Sequence, residues 1–183
     1  MLGTILGLVA GGGLIWWYAE HTGDDNSAEG IDTEVLTGPA ATETAGQLAD
    51  AIGWPYFWNR GTPATPWSDG PRGVDCSGFA QMALVRLGLL SSSAPDRSSS
   101  ALAYACDPVD VGEQVPGDLA YYPGHVAVVI GDPDLDGHSA VMCATGHKGT
   151  EGNVPGEEVK VYATARYRSD FVTYMRLKPE NRA

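Results

Sequence analysis

The sequence predicts an α+β domain in which helices lead and an antiparallel sheet follows. Three observations carry that class. The run from Phe79 to Leu90 is apolar except for Gln81 and Arg86, and a helix apolar nearly all round is a buried one. Further on, Gly124-His125-Val126-Ala127-Val128-Val129-Ile130-Gly131 has the β-branched density of a buried strand. The later strand-like segments are joined by short turns, which pair consecutive strands antiparallel. Helices first and strands last give the α+β class, with five strands predicted to curl into a half-barrel.

The chain has 183 residues, 43% of them hydrophobic, with 24 Gly and 12 Pro. That is enough for one domain with its own core plus an appendage. Residues 1–19 carry no charged side chain. As a helix they would reach roughly 28 Å at ~1.5 Å per residue, close to the ~30 Å hydrocarbon core of a bilayer. Gly3, Gly7 and Gly11 would lay bare backbone on one face for close packing. Trp16, Trp17 and Tyr18 gather where an interfacial belt would lie. A cleavable signal peptide fits worse, because no basic residue precedes the apolar stretch. Two readings stand, a membrane anchor and a helix that packs into a protein assembly. Residues 20–40 hold six acids and little apolar content, the composition of a linker.

From residue 41 a domain is expected to run to residue 178, with a tail at 179–183. Ala41 to Ile52 reads as a short helix, with Leu48 and Ile52 on one face and Gly53 as its stop. A Gly- and Pro-rich loop from Asn59 to Gly73 leads to Cys76. Trp67 reads as core, and Trp58 as core or a pocket wall. Ser91 to Ser100 is a polar loop and Ala101 to Cys106 a short helical turn. The five strands are Leu119–Tyr122, Val126–Ile130, Ala140–Ala144, Val159–Ala165 and Phe171–Leu177.

The net charge of −12 is unevenly placed: before Arg60 there are eight acids and no Lys or Arg, whereas from Arg60 onward 15 acids face 11 bases. No basic patch with interleaved aromatics appears, so nucleic acid is not an expected partner. Asp132-Pro133-Asp134-Leu135-Asp136-Gly137 matches the front half of a calcium loop. Cys143 stands where the bidentate Glu belongs, and an acidic hairpin loop is the better reading. The three cysteines lack paired zinc-ligand spacing, and no metal or cofactor is expected. Cys76 should be free; Cys106 and Cys143 are two buried thiols or one bridge.

Chemistry gathers at Gly73-Val74-Asp75-Cys76-Ser77-Gly78-Phe79. The first turn of a helix leaves backbone N–H groups unpaired and carries roughly half a positive charge. A cysteine there is expected to gain thiolate character. The bland alternative is a small buried hydrophobe, the fate of most free cysteines. A base is needed, and His125, at the first position of a core strand, suits a helix-borne thiol.

Gly53-Trp54-Pro55-Tyr56, Asp75-Cys76-Ser77-Gly78-Phe79, Pro116-Gly117-Asp118-Leu119 and Gly124-His125-Val126 follow in that order and spacing. Together they resemble the NlpC family of papain-like cell-wall cysteine peptidases over roughly residues 41–178. The resemblance implies that Cys76 is the nucleophile and His125 the base, and that Tyr56, Asp75 and Ser77 frame the substrate. It implies a peptidoglycan stem-peptide amide as substrate, commonly the bond between D-glutamate and the diamino acid. Two departures are visible. The family's Gly-Gly turn is Asn59-Arg60-Gly61 here, and the third polar residue that orients the histidine falls at or near Cys143. His147, from the following loop, is the candidate for that orienting role, with a backbone carbonyl or water as alternatives; His138 is a poorer one.

A small domain behind a glycine-faced apolar helix looks most like a phage tail-tip component that opens the wall, placed in the virion tail. A membrane-tethered bacterial remodelling hydrolase, facing the wall from the cell envelope, is the nearest enzyme alternative. A structural tail or envelope protein that keeps the fold without the activity is the rival of another class.

Overall fold

The computed structural model describes residues 39–150 and 154–183. The apolar helix expected over 1–19 and the linker up to residue 38 lie outside them. Among the described residues no helix is long and apolar enough to cross a membrane. The described residues form three α-helices, α1 (Pro39–Leu48), α2 (Cys76–Arg86) and α3 (Ser99–Tyr104). The strands are β1 (Cys106–Val109), β2 (Leu119–Tyr122), β3 (His125–Val129), β4 (Val141–Ala144), β5 (Val159–Tyr162) and β6 (Thr173–Leu177). They form one antiparallel sheet in the order β1-β6-β2-β3-β4-β5.

β3 is buried at every position because both faces of the sheet are covered. Alternate side chains of a strand face opposite ways. Val126 and Val128 enter a core shared with Phe79, Met82 and Leu84 of α2 and Leu48 of α1. Ala127 and Val129 enter a second cluster with Tyr122, Val141, Cys143 and Tyr174, closed over by Tyr162, Tyr167 and Phe171. A strand covered on both sides loses polar alternation, which is why its sequence reads as one apolar run. Burying Phe79, Met82 and Leu84 contributes about 1.5–3 kcal/mol each.

Among the described residues the sheet has six strands rather than the five expected. The extra one, β1, pairs along β6 from Cys106↔Leu177 to Val109↔Tyr174. It contains Asp107 and Pro108, which disguise it; proline is tolerated because β1 is an edge strand. The helical turn expected over Ala101–Cys106 is found as α3, which starts two residues earlier and stops at Tyr104, with Cys106 opening β1. α1 starts earlier than expected and passes into a 3-10 turn at Ala49–Ala51, leaving Ile52 exposed rather than on a buried face. α2 begins at Cys76 itself and stops at Arg86, where Gly88 takes φ +70° and turns the chain out. The strand expected over Val159–Ala165 ends at Tyr162, and a 3-10 turn covers Ala165–Tyr167. The last strand begins at Thr173 rather than Phe171. Cys106 and Cys143 are both free thiols.

The Gly117-Asp118-Leu119 block is a structural tie. Asp118 is buried and accepts from Arg176 of β6 through Nε at 2.8 Å and Nη2 at 2.7 Å, and from the Val115 N–H at 2.9 Å. A bidentate pair of this kind fixes the register of β2 against β6. Removing one partner leaves the other charge without its counter-ion in a half-dry site. Asp118→Ala is therefore expected to lower stability by about 3 kcal/mol, read as a shift in the urea midpoint, with Asp118→Asn losing less.

Candidate active site

The site is built on the first turn of α2. Asp75 is its N-cap: Oδ1 accepts from the Gly78 N–H at 2.7 Å and from the Ser77 hydroxyl at 2.9 Å. This leaves Cys76 as the first residue of the helix. Gly78 is required sterically, since a Cβ there would collide with the Arg60 carbonyl, and the Asp75 N–H donates to that same carbonyl at 2.9 Å. The loop turns at Asn59 and Gly61, with φ of +62° and +88°. Asn and Gly are the residues that enter the left-handed region at little cost, so this pair replaces the expected Gly-Gly turn. Burial pushes the Asp75 carboxyl up, with the N–H groups of Gly78, Asn59 and Ser77 and the Ser77 hydroxyl pulling the other way.

Tyr56 arrives by backbone pairing. The Phe57 N–H donates to Val74 O at 3.0 Å and the Val74 N–H to Pro55 O at 3.1 Å, just ahead of the cap. On its other side the Tyr56 N–H donates to Glu157 O at 2.9 Å. Its ring is buried against Gly146, where a Cβ would overlap it. Burial, then the nearby Cys76, Asp75 and Glu157, push its phenol up.

Beside the thiol lies a cleft of about 140 Å³ whose walls include Trp58, Asp75, Cys76, Ser77, Arg97 and Gly124. Of the residues expected to frame substrate, Asp75 and Ser77 line it while Tyr56 is packed behind. Trp58 is a wall, 42% exposed; Trp67 packs against the main core as expected.

Cys76 opens α2 and His125 opens β3, and the two elements pack against each other; Gly124, not His125, lines the cleft. The N–H groups of Val126, one residue past His125, and of Ser77 favour the charged form of the Cys76 sulfur. β3 and β4 are laddered at Val128↔Met142 and Val129↔Val141, so the start of β3 meets α2 where the ladder has ended. Among the described residues no hydrogen bond joins the thiol to the imidazole. The His125 Nε2 is engaged instead by the Tyr167 hydroxyl at 2.8 Å, and the ring lies 5.5 Å from that of Tyr122. Tyr167 reaches on to the Cys143 sulfur at 3.2 Å. His147 is elsewhere: its side chain is 88% exposed and its Nδ1 pairs with Glu157 Oε1 at 2.5 Å. His138 is buried against Tyr174, 3.2 Å from its hydroxyl. The imidazole's polar partner is thus Tyr167, from the turn after β5, which no spacing rule in the sequence singled out.

The titration of the pair runs against the helix-terminus expectation. Burial, then Asp75, push the Cys76 thiol up to about 12, despite the Val126 and Ser77 N–H groups. Burial, then Arg168, bring His125 down to about 4, with Asp170 opposing. The resting pair is neutral thiol and neutral imidazole. Among the described residues no group of three His, Cys, Asp or Glu side chains is placed to hold a metal ion.

No protein-family model and no curated protein matches the sequence. Solved structures do match. The P60 domain of an antigen from M. avium subspecies paratuberculosis superposes with a TM-score of 0.52 at 22% identity, over 75% of this chain and 93% of that one. The peptidoglycan hydrolase RipB of Mycobacterium tuberculosis gives 0.52 at 23%, over 76% and 65%. NlpC2 of Trichomonas vaginalis gives 0.51 at 18%, over 78% and 48%. The fold of this chain is the NlpC/P60 fold.

Two measurements check the site. A buried imidazole that stays neutral costs stability when the unfolded chain takes up the proton. His125 therefore contributes stability that is complete above about pH 6.5, its ordinary value, and is lost as pH falls towards about 4; the loss amounts to about 3 kcal/mol. Urea midpoints between pH 7 and pH 4 should show this fall, and His125→Gln should flatten it. Iodoacetamide should label Cys76 at pH 7.5 more slowly than an unstructured cysteine and accelerate only into the alkaline range; fast labelling below pH 7 contradicts the neutral pair.

Proposed function

We propose that this protein is a cysteine peptidase that hydrolyses a peptide-stem amide of bacterial peptidoglycan. One observation carries the reading: a thiol at the first residue of a buried helix opens onto a cleft, and that helix packs on the strand that opens with His125. The shared fold with RipB, itself described as a peptidoglycan hydrolase, supports the substrate class.

In the proposed cycle His125 takes the Cys76 proton on Nδ1, the ring nitrogen that Tyr167 does not engage. The sulfur lone pair forms a bond to the amide carbon while the C=O π pair moves onto oxygen. The first N–H groups of α2, which have no intrahelical acceptor, face that oxyanion. Collapse restores the carbonyl as a thioester and breaks the C–N bond, and the amine leaves with the proton held by His125. Water, deprotonated by His125, then cleaves the thioester to a carboxylate and returns the thiol. Asp75 and Ser77 bind substrate at the cleft wall. For location we propose the wall-facing side of the envelope, most simply a phage tail tip, with residues 1–19 seated in the tail assembly or the membrane. A tethered remodelling enzyme of the host would use the same chemistry.

The test is digestion of purified peptidoglycan by the full chain and by its Cys76→Ala variant, with products read by mass spectrometry. New stem-peptide fragments from the parent alone are expected, and their masses name the bond. If the folded parent releases none, the catalytic reading fails and a structural role for the fold takes its place.

A further inference from the structure

We propose that Tyr167, with its hydroxyl directed by Cys143, is the positioning residue of His125 and fixes which ring nitrogen carries the proton. The inference rests on the catalytic reading above and names a group that reading does not use.

His125 can act as base towards Cys76 through Nδ1 only if its proton sits on Nε2. Tyr167 lies 2.8 Å from Nε2 and 3.2 Å from the Cys143 sulfur. The Cys143 sulfur lies 3.6 Å from Thr145 Oγ1, which is 3.1 Å from the Tyr162 hydroxyl. These contacts form one chain in which, when all point the same way, each donor from Nε2 to Thr145 finds its acceptor in the next group. The Nε2–H donates to the Tyr167 oxygen, the Tyr167 O–H to the Cys143 sulfur, the Cys143 S–H to Thr145 Oγ1, and the Thr145 O–H to the Tyr162 oxygen. In that direction Nδ1 keeps its lone pair. In the reverse direction Tyr167 would donate to Nε2 and place the proton on Nδ1, leaving no base. Thiols accept and donate weakly, and the contacts themselves admit both directions, so it is the base role at Nδ1 that selects the first. The ring of Tyr167 is held independently of its hydroxyl, stacked on Tyr162 at 3.8 Å and 12° and set edge-on to Tyr122 at 5.5 Å. Removing the hydroxyl therefore leaves the packing intact. Besides these groups, Arg168 and Asp170, paired with each other at 2.7 Å, act on the imidazole from the same loop.

The test reads the tautomer directly. Long-range proton–nitrogen NMR spectra of the full chain at pH 7, with the signals assigned by their loss in His125→Gln, should show His125 with its proton on Nε2. Tyr167→Phe should give a mixture of tautomers. Cys143→Ala, which keeps the tyrosine but removes its acceptor, should move the proton towards Nδ1, and Cys143→Ser should restore it. On peptidoglycan fragments, kcat/KM should fall roughly 10- to 100-fold in the first two variants, with KM within about two-fold and recovery in Cys143→Ser. An unchanged Nε2–H signature in both Tyr167→Phe and Cys143→Ala overturns the proposal; if only one of them folds, that variant decides. The tautomer is read without turnover. If the variants shift it as stated while the parent cleaves nothing, the peptidase reading has failed and the positioning geometry has not.

Discussion

The seating of the first turn of α2 against the open end of β3 is the contact on which the rest depends. A helix buried along its length normally hides its termini, yet here the first residue must face a cleft. The Asp75 cap resolves this by satisfying the Gly78 N–H with a side chain, so the helix starts without a further turn of chain above Cys76. Gly78 lets the Arg60 carbonyl close over the same turn, and the Phe57–Val74 pairing anchors the strand leading into the cap. On the sheet side, Val126 lies beyond the last β3–β4 ladder pair, and its N–H favours the charged form of the sulfur. Each of these is a backbone constraint, and together they leave the thiol little positional freedom.

How much of this was legible in the sequence follows from how local each signal is. α2 and β3 were readable because burial imposes apolar continuity on both, and Cys76 and His125 because each opens its element. The boundaries shifted where caps decide them, as at Gly88 and the Thr164-capped turn after β5. β1 was hidden, since an exposed edge strand with Asp107 and Pro108 lacks a strand's pattern. Tyr167, the polar partner of His125, was hidden for a different reason. Nearness in sequence favoured His147, but the chain after β4 carries it outward to Glu157, while Tyr167 returns from more than 40 residues beyond His125 through the turn that covers the second core. A contact made by a covering loop has no period and no fixed spacing.

In the proposed role, Tyr167 and the polar third residue of the pattern this sequence resembles solve the same problem with different physics. An ionisable partner would stabilise an imidazolium by charge as well as by direction. Tyr167 is held neutral, its phenol pushed far up by burial and by Cys143, so it contributes direction alone. The aromatic cluster that seats it, Tyr122, Tyr162, Phe171 and Tyr174, also excludes water from the imidazole, which is why burial rather than any partner dominates the depression of His125.

That balance decides how the thiol must work. A helix N-terminus stabilises an adjacent anion by about 0.3–1 kcal/mol, and by ~2 in favourable partly buried geometry. Raising the Cys76 thiol from 9.0 to about 12 corresponds to about 4 kcal/mol in the opposite sense. Burial wins, so a standing thiolate–imidazolium pair is the wrong picture of the resting site. In a dry site the costly species is an isolated charge, and transferring the proton while the sulfur attacks never creates one on sulfur. In the proposed cycle the negative charge passes straight to the carbonyl oxygen at the first N–H groups of α2, and the positive charge rests on an imidazole that Tyr167 is proposed to aim. The same burial that silences the free thiol is what makes fixed dipoles effective once substrate has displaced the remaining water.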